Sequence, residues 1–207
     1  MSQNVEVILS EDERDCLQEL MNIAYGSATA AISEIISKFA TLSIPRIHTI
    51  NSHELKDHLN TKLKTQNKYY ISNQLINGQL AGENLFVIDE QSSINLTKEF
   101  DVEDDEMNEE EIEDVILEIT NILSSSVSGK LASLLDSSIS FGAPNISKIE
   151  SANEFDQRFE TEYSQVIIIS TDLNFEDQNI HGELIVLSNS DTANFLKSAL
   201  DQFMENY

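Results

Sequence analysis

Glu19-Leu20-Met21-Asn22 and Glu118-Ile119-Thr120-Asn121 share one pattern, Glu-x-x-Asn, at a spacing of 99 residues. The spacing holds beyond the four residues. Ile23 falls on Ile122, Ser27 on Ser126, Pro45 on Pro144 and Ile47 on Ile146. Further along, Ser52 falls on Ser151, Asp57 on Asp156, Leu85 on Leu184, Val87 on Val186, Asn95 on Asn194 and Lys98 on Lys197, all without a gap. A chain made of two copies of one unit must bury two equivalent sets of apolar residues, which favours an internal pseudo-two-fold. The units are expected at 1–104 and 105–207, together forming one pseudo-symmetric domain.

The repeated pattern belongs to a helix. With Glu19 at zero and about 100° per residue, Leu17, Leu20, Met21, Ala24, Ala28, Ala31, Ile32 and Ile35 form an apolar stripe. Glu19 and Asn22 point the other way, and their face continues through small residues at Gly26, Thr29, Ala30 and Ser33. In the second copy Ile116, Ile119, Leu123, Val127, Leu131 and Leu134 form the stripe. Glu118 and Asn121 continue into Ser125, Ser128, Gly129 and Ala132. A helix face that only meets water favours Lys, Glu, Gln and Arg. Small residues there lose helix propensity and leave a shallow strip where another molecule can lie, so Gly26, Ala30, Ser125 and Gly129 are expected to line a docking surface. Ser10 with Glu13, and Asn108 with Glu111, read as capping boxes at the two helix starts.

Each helix should run about seven turns or more before an extended segment, at 41–50 and 140–149, in which Pro45 or Pro144 interrupts the alternation. Short helices are expected at 52–59 and 151–159. The β-branched and aromatic content of 68–76 with 80–89, and of 163–171 with 180–188, predicts two strands per unit. Asn77-Gly78 signals a hairpin between the first pair; the connection at 172–179 is longer and more polar. Helices at 92–100 and 191–207 close the units. The order is long helix, strand, short helix, strand, strand, helix, twice. It predicts an α+β protein with an antiparallel sheet and pseudo-two-fold symmetry.

A net charge of −25 argues against nucleic acid as a partner, because phosphate binding needs clustered Lys and Arg. The run DVEDDEMNEEEIED at 101–114 reads as a solvated linker whose last acids complement the positive end of the next helix, or as a contact for a basic partner surface. No apolar run of 18 residues is present, so no membrane insertion is expected, and the polar first residues do not resemble a signal peptide. Cys16 is the only cysteine. It excludes an internal disulfide, fits a cytoplasmic setting and reads as a small apolar side chain.

Familiar catalytic signatures fail. His48, His53, His58 and His181 have no zinc-ligand spacing. No G-x-S-x-G, phosphate-cradling glycine loop or dinucleotide fingerprint occurs. What Glu-x-x-Asn can do without a metal is narrower. At i, i+3 the side chains are neighbours on one face. The carboxylate can meet a cation on a partner, and the amide can orient a water without being consumed. Those two groups suffice to help another protein hydrolyse its own phosphate, since phosphoryl transfer is mostly positioning and charge stabilisation.

The long helix with Glu-x-x-Asn-Ile, its small-residue face and the proline that follows resemble the CheC/CheX/FliY family of chemotaxis phosphatases. The resemblance runs through nearly the whole chain by way of the repeat, and two motifs with no further domain look most like CheC. It implies a hydrolase acting on the aspartyl phosphate of a CheY-like response regulator. Glu19 and Glu118 would pair with the regulator's lysine, and Asn22 and Asn121 would enter its site and orient the attacking water. No cofactor of its own is implied; Mg2+ would belong to the regulator. CheD is a further possible partner. A non-catalytic adaptor that binds the regulator or CheD, or a flagellar-switch component, is the competing reading. One departure from the family is visible: where it often has Asn-Ile-Gly-x-Gly, this chain has Asn22-Ile23-Ala24-Tyr25-Gly26, and Asn121-Ile122-Leu123-Ser124-Ser125 keeps neither glycine.

Overall fold

The computed structural model of the protein describes residues 9–36, 40–51, 54–55, 57–58, 68–100, 102–103, 105–150, 154, 165–175 and 179–206. Two helices of 26 residues dominate it, α1 (Glu11–Ile36) and α3 (Glu109–Leu134). Between them lie β1 (Thr41–Leu42), β2 (Arg46–Asn51), β3 (Tyr69–Gly78), β4 (Gly82–Asp89) and α2 (Glu90–Lys98). After α3 come β5 (Ile139–Phe141), β6 (Asn145–Ile149), β7 (Gln165–Phe175), β8 (Ile180–Ser188) and α4 (Ser190–Glu205). The short helices expected at 52–59 and 151–159 fall mostly outside the described residues.

The start of α1 has the full capping box. Glu13 N donates to Ser10 Oγ at 3.2 Å, and Ser10 N donates to Glu13 Oε2 at 2.6 Å. At α3 the Asn108 side chain accepts from Glu111 N at 3.2 Å, which is the N-cap half of the motif. Lys148 on β6 lies 3.0 Å from Glu109 and 3.2 Å from Glu90, tying together the first turns of α3 and α2.

All strand pairs are antiparallel, in the order β1–β7–β8–β4–β3–β5. β2 continues beside β7, and β6 continues beside β3. Each half therefore lends its first two strands to the edge of the other. Pro45 and Pro144 occupy the breaks between β1 and β2 and between β5 and β6, where a missing N–H costs no ladder bond.

Several expectations need correction. The connection expected at 172–179 is shorter, because Asp172–Phe175 belong to β7 and pair with Ile180–Glu183 of β8. Asn77-Gly78 is not the hairpin turn: both residues pair with β5, and the turn falls at Gln79-Leu80. Gly78 is required for another reason. Its φ is 115°, and a Cβ there would sit 2.5 Å from Ser138 O. The repeat is also not gapless. Ser43 N donates to Asp172 O, and its counterpart Gly142 N donates to Leu75 O. Ser43 and Gly142 keep the spacing of 99, whereas Leu75 and Asp172 are 97 apart. In β4 and β8 the spacing becomes 100. There Gly82 matches Gly182, Glu83 matches Glu183, and the N-caps Asp89 and Asn189 match as well. The alignment of Leu85 with Leu184 and of Val87 with Val186 puts residues from opposite sheet faces together. Leu85 and Val87 belong to the cluster on one face, Leu184 and Val186 to the cluster under the helices. A one-residue slip in a strand exchanges its faces.

α1 and α3 pack against each other on one sheet face. Leu17, Leu20, Met21, Ala24, Ala28 and Ile32 of α1 join Ile116, Ile119, Leu123, Val127 and Leu131 of α3 over Tyr70, Phe86, Ile169, Leu184 and Val186. Ile35, expected in the stripe, is instead 49% exposed, and Ile36 is buried in the last turn. Ser128 and Ala132, expected on the outer face of α3, are buried. Ser128 Oγ there meets buried Asn84, whose Nδ2 donates to it at 3.0 Å.

Candidate functional site

The side chains of Glu19 and Asn22 on α1 are exposed, one turn apart, and so are those of Glu118 and Asn121 on α3. Because both helices cover the same sheet face, the two pairs stand on the same side of the protein. The apolar stripes fix this: with Leu20 and Ala24, or Ile119 and Leu123, turned into the core, the Glu-x-x-Asn face must turn out.

The strip beside each pair is open. Gly26, Ala30 and Ser125 are exposed and Gly129 is half-buried. A Cβ added at Gly26 or Gly129 would meet nothing within 4 Å. Ile23 was missed as part of this surface. It is 49% exposed, and on the wheel it lies only about 40° from Glu19. An Ile off the apolar stripe was the available signal. Its counterpart Ile122 packs partly against the core. Beside Glu19, a hollow of about 530 Å³ is lined by Asp12, Asp15, Cys16, Gln18 and Met204. With three carboxylates at its rim, it suits a cationic side chain. Cys16 is partly buried against the core, and burial pushes its thiol pKa up.

The two asparagines differ in what holds them. Asn121 Oδ1 accepts from Gln74 Nε2 at 3.1 Å, and the same Nε2 donates to Gly142 O at 2.8 Å. Gln74 is only 1% exposed. Sequence reasoning missed it because a Gln in a strand ordinarily marks the solvent face. Among the described residues Asn22 has no such side-chain bond. The structural counterpart of Gln74 is Thr171, whose Oγ1 donates to Ser43 O at 2.6 Å.

Among the described residues, no group of three His, Cys, Asp or Glu is placed to hold a metal ion, and no helix is long and apolar enough to cross a membrane.

No protein-family model matches the sequence, and no curated protein matches it. Solved structures do. FliY of Thermotoga maritima superposes with a TM-score of 0.72 at 19% identity, over 97% of this chain and 100% of that one. The FliM middle domain from H. pylori gives 0.57 at 10% identity, over 92% and 99%. CheX from Desulfovibrio desulfuricans gives 0.53 at 12% identity, over 82% and 99%. These superpositions, over 82–97% of the chain, give it the fold of the CheC/CheX/FliY family.

Proposed function

We propose that this protein is a phosphatase for the aspartyl phosphate of a CheY-like response regulator. The observation that carries the reading is the exposure of both Glu-x-x-Asn pairs on one side of the molecule, each on a rigid helix beside an open strip. In this reading Glu19 or Glu118 meets the lysine beside the regulator's phosphorylation site, and Asn22 or Asn121 enters that site. The amide then holds a water in line with the phosphorus, while the regulator supplies Mg2+ and the electrophile. Positioning of this kind is the main work in phosphoryl transfer. The net charge of −25 steers a basic regulator surface toward the protein.

A second reading has one observation in its favour. The FliM middle domains share the fold, so a switch component that binds a regulator, or CheD, without turnover uses the same surface. Stoichiometry separates the two. The protein is added at about one-hundredth of the concentration of a regulator phosphorylated with a small phosphodonor and Mg2+. A catalyst drains the phosphorylated pool through many turnovers. Phosphate release that never exceeds the amount of protein added supports binding alone.

A further inference from the structure

We infer that Gln74 is a positioning residue for Asn121, latching its amide in a single orientation that Asn22 lacks. The inference rests on the phosphatase reading for its catalytic consequence, but the latch itself is a matter of hydrogen-bond chemistry. The carbonyl of Gly142 can only accept, so the Gln74 atom 2.8 Å from it must be Nε2. The second N–H of that group faces Asn121 at 3.1 Å, and only Oδ1 of Asn121 can accept it. Asn121 therefore turns Oδ1 inward and Nδ2 outward. The outward N–H donates to one lone pair of a water and leaves another for the phosphorus. The arrangement holds even though Gln74 Oε1 is buried with no hydrogen-bond partner of its own. A group left unsatisfied in this way is a cost, which marks the orientation as imposed by its surroundings.

In the first half the chain solves the same backbone problem differently. Thr171 donates its single proton to Ser43 O, the counterpart of Gly142 O, and has none left for Asn22. The exchange of Gln for Thr is thus what makes the two sites unequal. Freezing a rotatable amide before binding removes an ordering cost at the moment of reaction.

The test is Gln74→Thr, which keeps a donor for Gly142 O and gives the second site the arrangement of the first. It is made in an Asn22→Ala background, so that only Asn121 turns over regulator. The expected result is a fall in kcat of about two- to tenfold with KM within about twofold, whereas a general loss of packing would move both. The second readout needs no activity. In the unaltered protein, 15N relaxation should find the Asn121 side-chain amide ordered and that of Asn22 mobile, and Gln74→Thr should make Asn121 as mobile as Asn22. An Asn121 amide already as mobile as that of Asn22 overturns the latch. So does an unchanged kcat in the Gln74→Thr protein. An ordered Asn121 with no turnover in any variant refutes the phosphatase reading instead and leaves the latch standing.

Discussion

Leu85 on β4 lies directly opposite Ile185 on β8, and under the spacing of 100 each residue is the other's counterpart. The internal two-fold therefore passes through this pair, at the centre of the sheet. Gly82↔Ser188 and Ile88↔Gly182 flank it on either side. Two buried carboxylates, Glu83 and Glu183, also sit symmetrically about it. The axis explains why both Glu-x-x-Asn pairs face one way: it relates α1 to α3 across the sheet face they share.

The same axis predicts that half the chain does not fold alone. In residues 1–104, β2 would lack β7, β3 would lack β6, and β4 would lack β8. What remains is one hairpin under one long helix, too little sheet for independent stability. Expressed by itself, 1–104 should be either an unfolded monomer or a dimer that rebuilds the missing pairs. Sedimentation with circular dichroism checks this, and a folded monomer would contradict the exchange of edge strands.

Alanine at the two asparagines should have unequal effects on stability and on activity, with Asn121→Ala the more costly in both because only Asn121 is held by Gln74. Asn22→Ala replaces an exposed helical residue by a better helix former, so stability should be unchanged or rise by a few tenths of a kcal/mol. Asn121→Ala leaves one Gln74 N–H buried without its acceptor, a loss of about 1–3 kcal/mol. Urea unfolding of both variants reads the difference directly. Each should lower turnover of phosphorylated regulator and the double variant should abolish it; full activity in the double variant would remove water positioning from the mechanism.

Acid should act partly through Glu13, which is buried in the first turn of α1. Burial by itself would raise its pKa. The Lys197 ammonium in contact with it, and the backbone N–H and hydroxyl of Ser10, act the other way and hold it below the ordinary value of 4.5. A carboxylate with a depressed folded pKa contributes stability that is fully present above the unfolded value and is lost as pH falls through the folded one. Glu13→Gln should therefore be less stable than the parent at neutral pH, and the gap should close below about pH 4.5. A gap that stays constant between pH 7 and pH 3 would mean that the charge on Glu13 does not matter.

Much of this architecture is legible in the chain. The helices, the interruptions at Pro45 and Pro144 and the outward face of Glu-x-x-Asn follow from periodicity and capping, which are local properties. What the chain concealed is set by tertiary contact. Leu85 and Val87 matched Leu184 and Val186 by letter, yet strand pairing places those residues on opposite faces. The difference is absorbed in part by the β7–β8 hairpin, whose ladder runs on through Phe175↔Ile180 where the β3–β4 ladder ends at Ile76↔Gly82, and no local pattern marks it. Gln74 was invisible for a related reason. Its role depends on Gly142 and Asn121, 68 and 47 residues away. Ser128 likewise turned inward because Asn84 supplies a partner beneath it.

The open strip along α3 gives a test of docking separate from chemistry. Gly129 lies on the same side as Asn121, and a Cβ there meets nothing within 4 Å. Gly129→Arg should therefore leave the fold intact, and by removing a helical glycine it should add about 0.5–1 kcal/mol of stability. If a regulator helix lies along the strip, the new side chain occupies its place. In an Asn22→Ala background, where only the second site reports, KM for phosphorylated regulator should rise about tenfold or more, a loss of roughly 1.4 kcal/mol in binding. The mirror experiment uses Gly26→Arg with Asn121→Ala and should do the same to the first site. Arginine adds a charge as well as bulk, so Gly129→Leu serves as the uncharged control and should weaken binding in the same direction. Unchanged KM with both Gly129 variants would mean that the regulator does not lie along α3 past Ser125, and that the small residues there serve no docking role.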